Sequence, residues 1–296
     1  MGKVSVAVIG LNGHLGKPVL EAINSGKFDD KIAFPIKALT RKEQASTDKI
    51  QYITTEINDE TVSSISKSLE GTDVIIELVQ PSPDLFATIE KIVKEVKPKL
   101  FVPSQFGTDL IQVDKFAPGF LGLKTQHSEN VRKFGIKVVD VITSLFAVPG
   151  GFLYELVASV GVDTATKTVV QRGEPTDKFS ITKLEDIGFT VVSLITLPID
   201  KLPDTLRISS DVISFQDVID KYEKSHDVKL TVTKTISKEQ TLKDLQEKYA
   251  TGFEFKDFFF YLHSIAALGL DKGLYYSEVH NELVNPGEKY WKWGKF

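Results

Sequence analysis

No cysteine occurs anywhere in the 296 residues. That excludes disulfides, thiolate metal centres and a cysteine nucleophile, and it accords with a reducing compartment. No run approaches the ~18 apolar residues of a membrane span. Basic residues are not in excess either. The 36 lysines and arginines are outnumbered by 40 aspartates and glutamates, for a formal net charge of −4. This argues against a nucleic-acid surface or a basic membrane-binding face. Several catalytic signatures are also missing: no tyrosine is followed by lysine four residues later, and neither an HExxH zinc motif nor a G-x-S-x-G nucleophile elbow occurs. No metal site is expected. The first strand pattern starts at Val4, which leaves no room for a signal or transit peptide ahead of it, so a cytoplasmic protein is expected.

What is present reads as a soluble globular protein. Hydrophobic residues make up 42% and charged residues 26%, enough for a substantial core in one large α/β unit or two domains. The most informative stretch runs from Val4 to Gly16. Val4, Val6 and Val8 fall on one face and Ser5, Ala7 and Ile9 on the other, so neither face is strongly polar, as in a central parallel strand covered on both sides. Gly10, Gly13 and Gly16 follow at G-x-x-G-x-x-G spacing, and a helical pattern through Val19, Leu20 and Ile23 begins at once. Glycines in this context allow a tight turn, close approach of backbone N–H groups to a pyrophosphate, and close helix–strand packing. The anion would sit at the helix N-terminus. His14 and Leu15 lie within the loop, and Asn12 can add a side-chain hydrogen bond.

The next segments alternate strand and helix at the spacing of a doubly wound sheet. Strands are expected at 35–40, 49–55, 73–79, 100–103 and 136–142. Helices are expected after Asn58–Glu60, over 84–97 and over 120–134, and a loop over 104–119. Arg41, directly after the second strand, stands where a dinucleotide fold meets the adenosine ribose; an arginine there accommodates a 2′-phosphate, although Glu43 is close by. Beyond Gly151 a short helix is expected over 152–160, strands over 168–171 and 228–236, and an extended segment at 207–209. A helix over 184–197 should be capped by Thr182 with Glu185, another should be capped by Ser214, and 241–249 should be helical. The division is therefore 1–150 for a dinucleotide-binding domain and 151–296 for a smaller α+β region, some of whose helices pack back on the sheet. The last forty-odd residues are rich in aromatics, from Phe253 to Trp293. A packed helix and chain end is their expected use; a pocket wall, or a subunit contact in a homodimer, remains open for some of them.

Lys124 shares a helical stripe with His127, Ser128 and Val131. A lysine beside a bound nicotinamide could donate a proton or polarise a substrate oxygen, more readily if burial lowers its proton affinity. By spacing alone such a lysine is more often an exposed helix residue, and His127 is read as a surface residue.

Taken together, Val8-Ile9-Gly10-Leu11-Asn12-Gly13-His14-Leu15-Gly16-Lys17-Pro18, Leu39-Thr40-Arg41, Val102-Pro103-Ser104-Gln105-Phe106-Gly107, Lys124 and Phe146-Ala147 resemble the isoflavone reductase and phenylcoumaran benzylic ether reductase group, within the NmrA-like branch of atypical short-chain dehydrogenases. Glu185-Asp186-Ile187-Gly188 and Ser214-Phe215-Gln216-Asp217 extend the resemblance to about residue 240. It departs at Ser144, where the family usually has asparagine, and around Lys124. The resemblance implies a Rossmann-type fold and an NADPH-dependent reductase, with the glycine loop on the pyrophosphate, Arg41 on the 2′-phosphate and Lys124 as catalytic lysine. The cofactor-lining set it implies is Gly10, Asn12, Gly13, His14, Leu15, Gly16, Arg41, Val79, Gln80, Gln105, Lys124 and Phe146. The substrate would be a small apolar aromatic, quinone- or enone-like molecule. The alternative is an NAD(P)-binding redox sensor without turnover, acting through a protein partner.

Overall fold

The computed structural model describes residues 2–296. Strand β1 (Val4–Ile9) leads through the glycine turn into α1 (Gly16–Asn24). There follow β2 (Ile32–Thr40), β3 (Ile50–Thr54), α2 (Val62–Ser68), β4 (Val74–Glu77), α3 (Pro83–Val96), β5 (Leu100–Val102), α4 (Leu110–Asp114), α5 (Gly122–Arg132) and β6 (Lys137–Val138). The six strands form one parallel sheet in the order β3-β2-β1-β4-β5-β6. Chain order reverses between β1 and β4, which creates a crevice at their carboxyl ends.

The double-faced apolar pattern of β1 has the expected consequence. Val6 and Val8, with Val74 and Ile76 of β4, pack on one side against Val19, Ala22 and Ile23 of α1. Ala7 and Ile9, with Ile75 and Phe101, pack on the other against Ile65, Ile89, Ile92, Val93 and Val131. The register of β2 on β1 slips between Ser5 and Ala7, beside Pro35, which has no N–H to contribute to a ladder. The strand still starts at Ile32, three residues before the proline.

After β6 the chain forms β7 (Asp140–Ile142), β8 (Leu145–Phe146), β9 (Val162–Asp163), β10 (Thr168–Arg172), β11 (Lys178–Thr182), α6 (Leu184–Leu194), β12 (Thr205–Arg207), β13 (Asp211–Ser214), α7 (Phe215–His226), β14 (Thr231–Ile236), α8 (Lys238–Ala250), α9 (Phe258–Ala267) and α10 (Asn281–Val284). Sequence reading had one strand over 136–142. It is interrupted at Val139: β6 pairs with β5, whereas β7 pairs in parallel with β12. A second core gathers Leu145, Leu153, Phe179, Ile213, Phe215, Leu245, Tyr261 and Ile265.

Several local expectations are corrected. Thr182 does not cap α6. It ends β11 and donates its hydroxyl to Thr143 O at 2.5 Å, while the cap position is Lys183, without a side-chain hydrogen bond. The 104–119 loop contains α4, nucleated by Asp109, whose carboxylate accepts from Gln112 N–H. Of 152–160 only Val157–Val160 is helical, as a single 3₁₀ turn ended by left-handed Gly161. Ser214 does cap α7, in a reciprocal box with Asp217. The helix α6 covers the sheet next to α1: a Cβ at Gly188 would lie 2.3 Å from Pro18 O. The chain end follows it. Trp291 stacks on Phe189 at 5.4 Å, and Tyr290 meets Phe28 at 5.0 Å.

Candidate cofactor and catalytic site

The glycine turn is sterically necessary. Gly10 has φ +93° and a Cβ there would lie 2.6 Å from Leu78 O; a Cβ at Gly16 would lie 2.2 Å from Leu11 O. Both obstacles are backbone, so neither position accepts a side chain. Gly13 N–H donates to Gly10 O at 2.9 Å and closes the loop. The first turn of α1 carries no acidic residue, and Leu15 at its cap position offers no side-chain hydrogen bond. The unpaired N–H groups and positive dipole end are thus open to an anionic ligand.

The other expected cofactor residues take different positions around this turn. Asn12 and His14 are exposed, Leu15 half-buried. Asn12 Nδ2 reaches Thr40 Oγ1 at 3.4 Å, tying the turn to the end of β2. Arg41 comes next in the chain, exposed and without an ion pair among the described residues. Val79 lies against Gly10, its Cγ1 3.2 Å from where a Cβ would stand, and Gln80 is exposed. Phe146 is half-buried against the first core.

Gln105 has another task. It is buried, and its amide nitrogen donates to Lys124 O at 2.7 Å and Ser128 Oγ at 2.9 Å. Both N–H bonds are committed to α5. Ser128 Oγ in turn donates to Asp140 Oδ1 at 2.8 Å, and Arg132 Nη2 donates to Asp140 Oδ2 at 2.8 Å. Gly107 N–H donates to Thr143 Oγ1, and Ser144 N–H to Gly107 O, both at 2.9 Å. The Pro103–Gly107 element is therefore fastened to α5 on one side and to the end of β7 on the other. Ser144 has φ +56°, and its Oγ lies 2.6 Å from Ser180 O and 2.9 Å from Leu274 O. Asparagine tolerates the left-handed region better than other non-glycine residues, so the backbone here would suit the asparagine that the family resemblance implies at this position.

Lys124 is half-buried, and its Nζ lies 3.4 Å from Phe106 O. Burial pulls its pKa down to about 8, against the opposing pull of the Glu77 and Asp140 carboxylates. An ammonium group of that acidity can release a proton near neutral pH.

The expectation for His127 is overturned. It is buried at 2% exposure, with Nε2 2.7 Å from Glu77 Oε2 and Nδ1 2.8 Å from Glu90 Oε1. Its ring stacks on Phe86 at 4.0 Å and meets Phe101 edge-on at 5.7 Å. Burial alone would disfavour its protonation; the two carboxylates more than reverse this and raise its pKa. Burial also raises Glu77, against the pull of His127. Sequence reading missed Glu77 and Glu90. The available signal was a single carboxylate inside the apolar run Val74-Ile75-Ile76-Glu77-Leu78-Val79, which a strand covered on both faces buries.

Sheet order, reversal point and glycine turn together define a Rossmann-type α/β protein. The chain belongs to the NmrA-like family, whose model matches residues 2–293, in agreement with the motifs read from the sequence. Solved structures share its fold. An isoflavone reductase superposes with a TM-score of 0.65 at 20% identity, covering 88% of this chain and 86% of that one. The binary complex of leucoanthocyanidin reductase with NADPH from Vitis vinifera gives 0.64 at 20% identity, covering 90% and 87%. A structure described as a nucleoside-diphosphate-sugar epimerase from Staphylococcus aureus gives 0.64 at 14% identity, covering 95% of each chain. At these identities the likeness establishes the fold. No curated protein sequence matches the chain. No helix among the described residues is long and apolar enough to cross a membrane.

Proposed function

We propose that this chain is an NADPH-dependent reductase that delivers a hydride to a small apolar aromatic, quinone- or enone-like substrate, with Lys124 as proton donor or oxygen polariser. The observation that carries this reading is the half-buried Lys124, its Nζ 3.4 Å from Phe106 O, on the helix that Gln105 anchors, with burial pulling its pKa down to about 8. The residues present suit the cofactor. Gly10, Gly13 and Gly16 let the turn fold closely on the backbone of Leu11 and Leu78 and so present the uncapped start of α1 to a pyrophosphate, with Asn12, His14 and Leu15 around it. Unpaired Arg41 is free to grip a 2′-phosphate with its planar fork, and Val79, Gln80 and Phe146 would line the remaining length.

When bound, the cofactor supplies the hydride; the chain's residues supply the proton and the setting. Lys124 Nζ, as ammonium, hydrogen-bonds the substrate oxygen and gives up a proton as charge develops there. Gln105 keeps Lys124 in place through its backbone carbonyl. Residues 151–296 form the substrate-binding region in this reading. Phe152 and Phe259, stacked at 5.1 Å, exemplify the apolar surface that such substrates need.

The test is NADPH oxidation over a panel of quinones, enones and aromatic ketones, in wild type and Lys124→Ala. Turnover in wild type that collapses in the variant while NADPH affinity persists is expected. Tight NADPH binding without turnover on any substrate would instead favour the redox-sensor reading.

A further inference from the structure

The Glu77–His127–Glu90 unit, buried at Glu77 and His127 and half-buried at Glu90, has no part in the reaction as described so far. Glu77 is the last residue of β4 and is wholly inaccessible. His127, from α5, bonds Glu77 through one ring nitrogen and Glu90 of α3 through the other. With a carboxylate oxygen against each nitrogen, the ring is best satisfied donating on both sides, as an imidazolium. Asn130 adds donors to Glu90 at 3.1 and 3.2 Å. With both carboxylates ionised around one imidazolium, the unit carries one negative charge in excess. The second oxygen of Glu77, Oε1, is buried without a hydrogen-bond partner, an arrangement that folded proteins seldom leave uncompensated. Lys124 stands one helical turn before His127 on the same stripe of α5.

We propose that Glu77, held by His127 and Glu90, is the positioning residue that supplies the counter-charge for Lys124 and so sets the protonation state in which that lysine meets its substrate. The inference rests on the reading of Lys124 given above. Asp140, from β7, is the other carboxylate whose charge favours the Lys124 ammonium, but it is already bonded to Arg132 and Ser128, and Arg132 also pairs with Glu129. The uncompensated charge is therefore that of the Glu77 unit. Phe86 of α3 and Phe101 of β5 pack on the His127 ring and help keep water from screening the interaction.

The test reads Lys124 directly, by side-chain NMR of protein carrying ¹⁵N-lysine, its signal assigned by loss in Lys124→Arg. Glu77→Gln keeps the shape and removes the charge; the Lys124 pKa is expected to fall further by about one unit, a tenfold loss of proton affinity. His127→Gln should shift it the same way, because a wholly buried Glu77 without a cationic partner takes up a proton. Purely structural residues would leave the titration where it is, and an unshifted Lys124 in either folded variant overturns the proposal. Should neither variant fold, the wild-type histidine spectrum decides, since a neutral His127 ring at pH 7 is incompatible with the unit described. Turnover that survives Lys124→Ala would refute the proton-donor role instead, without touching the titration.

Discussion

Gly188→Ala sets two physical effects against each other. Gly188 lies inside α6, where alanine is better than glycine by about 1 kcal/mol on helix propensity alone. Its φ is not in the left-handed region, so the backbone itself does not require glycine. The added Cβ would nevertheless meet Pro18 O at 2.3 Å, Pro18 C at 2.4 Å and Pro18 Cβ at 3.0 Å. Two of these atoms are backbone in the first turn of α1, so no side chain can rotate away and the helices must separate by roughly 1 Å. Overpacking of this kind costs about 1–3 kcal/mol, more where backbone has to move. Because backbone must move, the upper part of that range applies, about 2–3 kcal/mol, and subtracting the propensity gain leaves a net loss of roughly 1–2 kcal/mol. Urea denaturation followed by circular dichroism reads this as a lower midpoint at unchanged slope. Gly122→Ala is the control, because a Cβ there has nothing within 4 Å. A Gly188→Ala protein as stable as wild type, or more so, would refute the close α1–α6 contact.

Four further outcomes follow from the same geometry. Arg41→Ala should weaken NADPH by roughly 10- to 100-fold, the usual value of a charge-assisted hydrogen bond, and leave NADH nearly unchanged; calorimetric titration that shows equal losses would remove the 2′-phosphate role. Turnover should be flat at lower pH and decline as pH rises through about 8, because the ammonium is the active form; a rate that rises across that range would make Lys124 a base. Asp109→Ala should destabilise the fold by about 3 kcal/mol, since it deletes the α4 cap and the carboxylate bound to Arg207 Nε at 2.7 Å; a chemical melt within 0.5 kcal/mol of wild type, on the order of measurement error, would count against the pair. Ser144→Asn should be tolerated, whereas Ser144→Val should cost about 1–3 kcal/mol for a branched side chain at φ +56°; equal melting temperatures would contradict the strain argument.

The fold as far as β5 was legible because its patterns are local. Double-faced valines, a glycine turn and the helical pattern through Val19, Leu20 and Ile23 each state their structure within a few residues, and β1 and α1 follow that reading closely. Beyond Gly151 the contacts are distant in sequence. Thr182 looks like a helix cap, yet β11 is drawn between β8 and β13, and its hydroxyl goes to Thr143. Asp109 and Arg207, or Tyr290 and Phe28, meet only once the chain has folded back. The candidate site divides in the same way. The glycines and Arg41 could be read from position alone, and Lys124 from its stripe and the family motifs. His127 could not, because its burial depends on Glu77 and Glu90, which come from two other elements. A helix with an unremarkable pattern of charges gave no sign that one of its faces met one buried and one half-buried carboxylate.

The claim that this chain catalyses hydride transfer is tested most directly with NADPH deuterated at the nicotinamide C4, each epimer in turn, and a substrate from the quinone, enone and aromatic ketone panel. Wild type should move deuterium from one epimer only into the product, and Lys124→Ala should slow that transfer without loosening the cofactor. Bound NADPH that keeps its deuterium with every substrate offered would contradict the assignment.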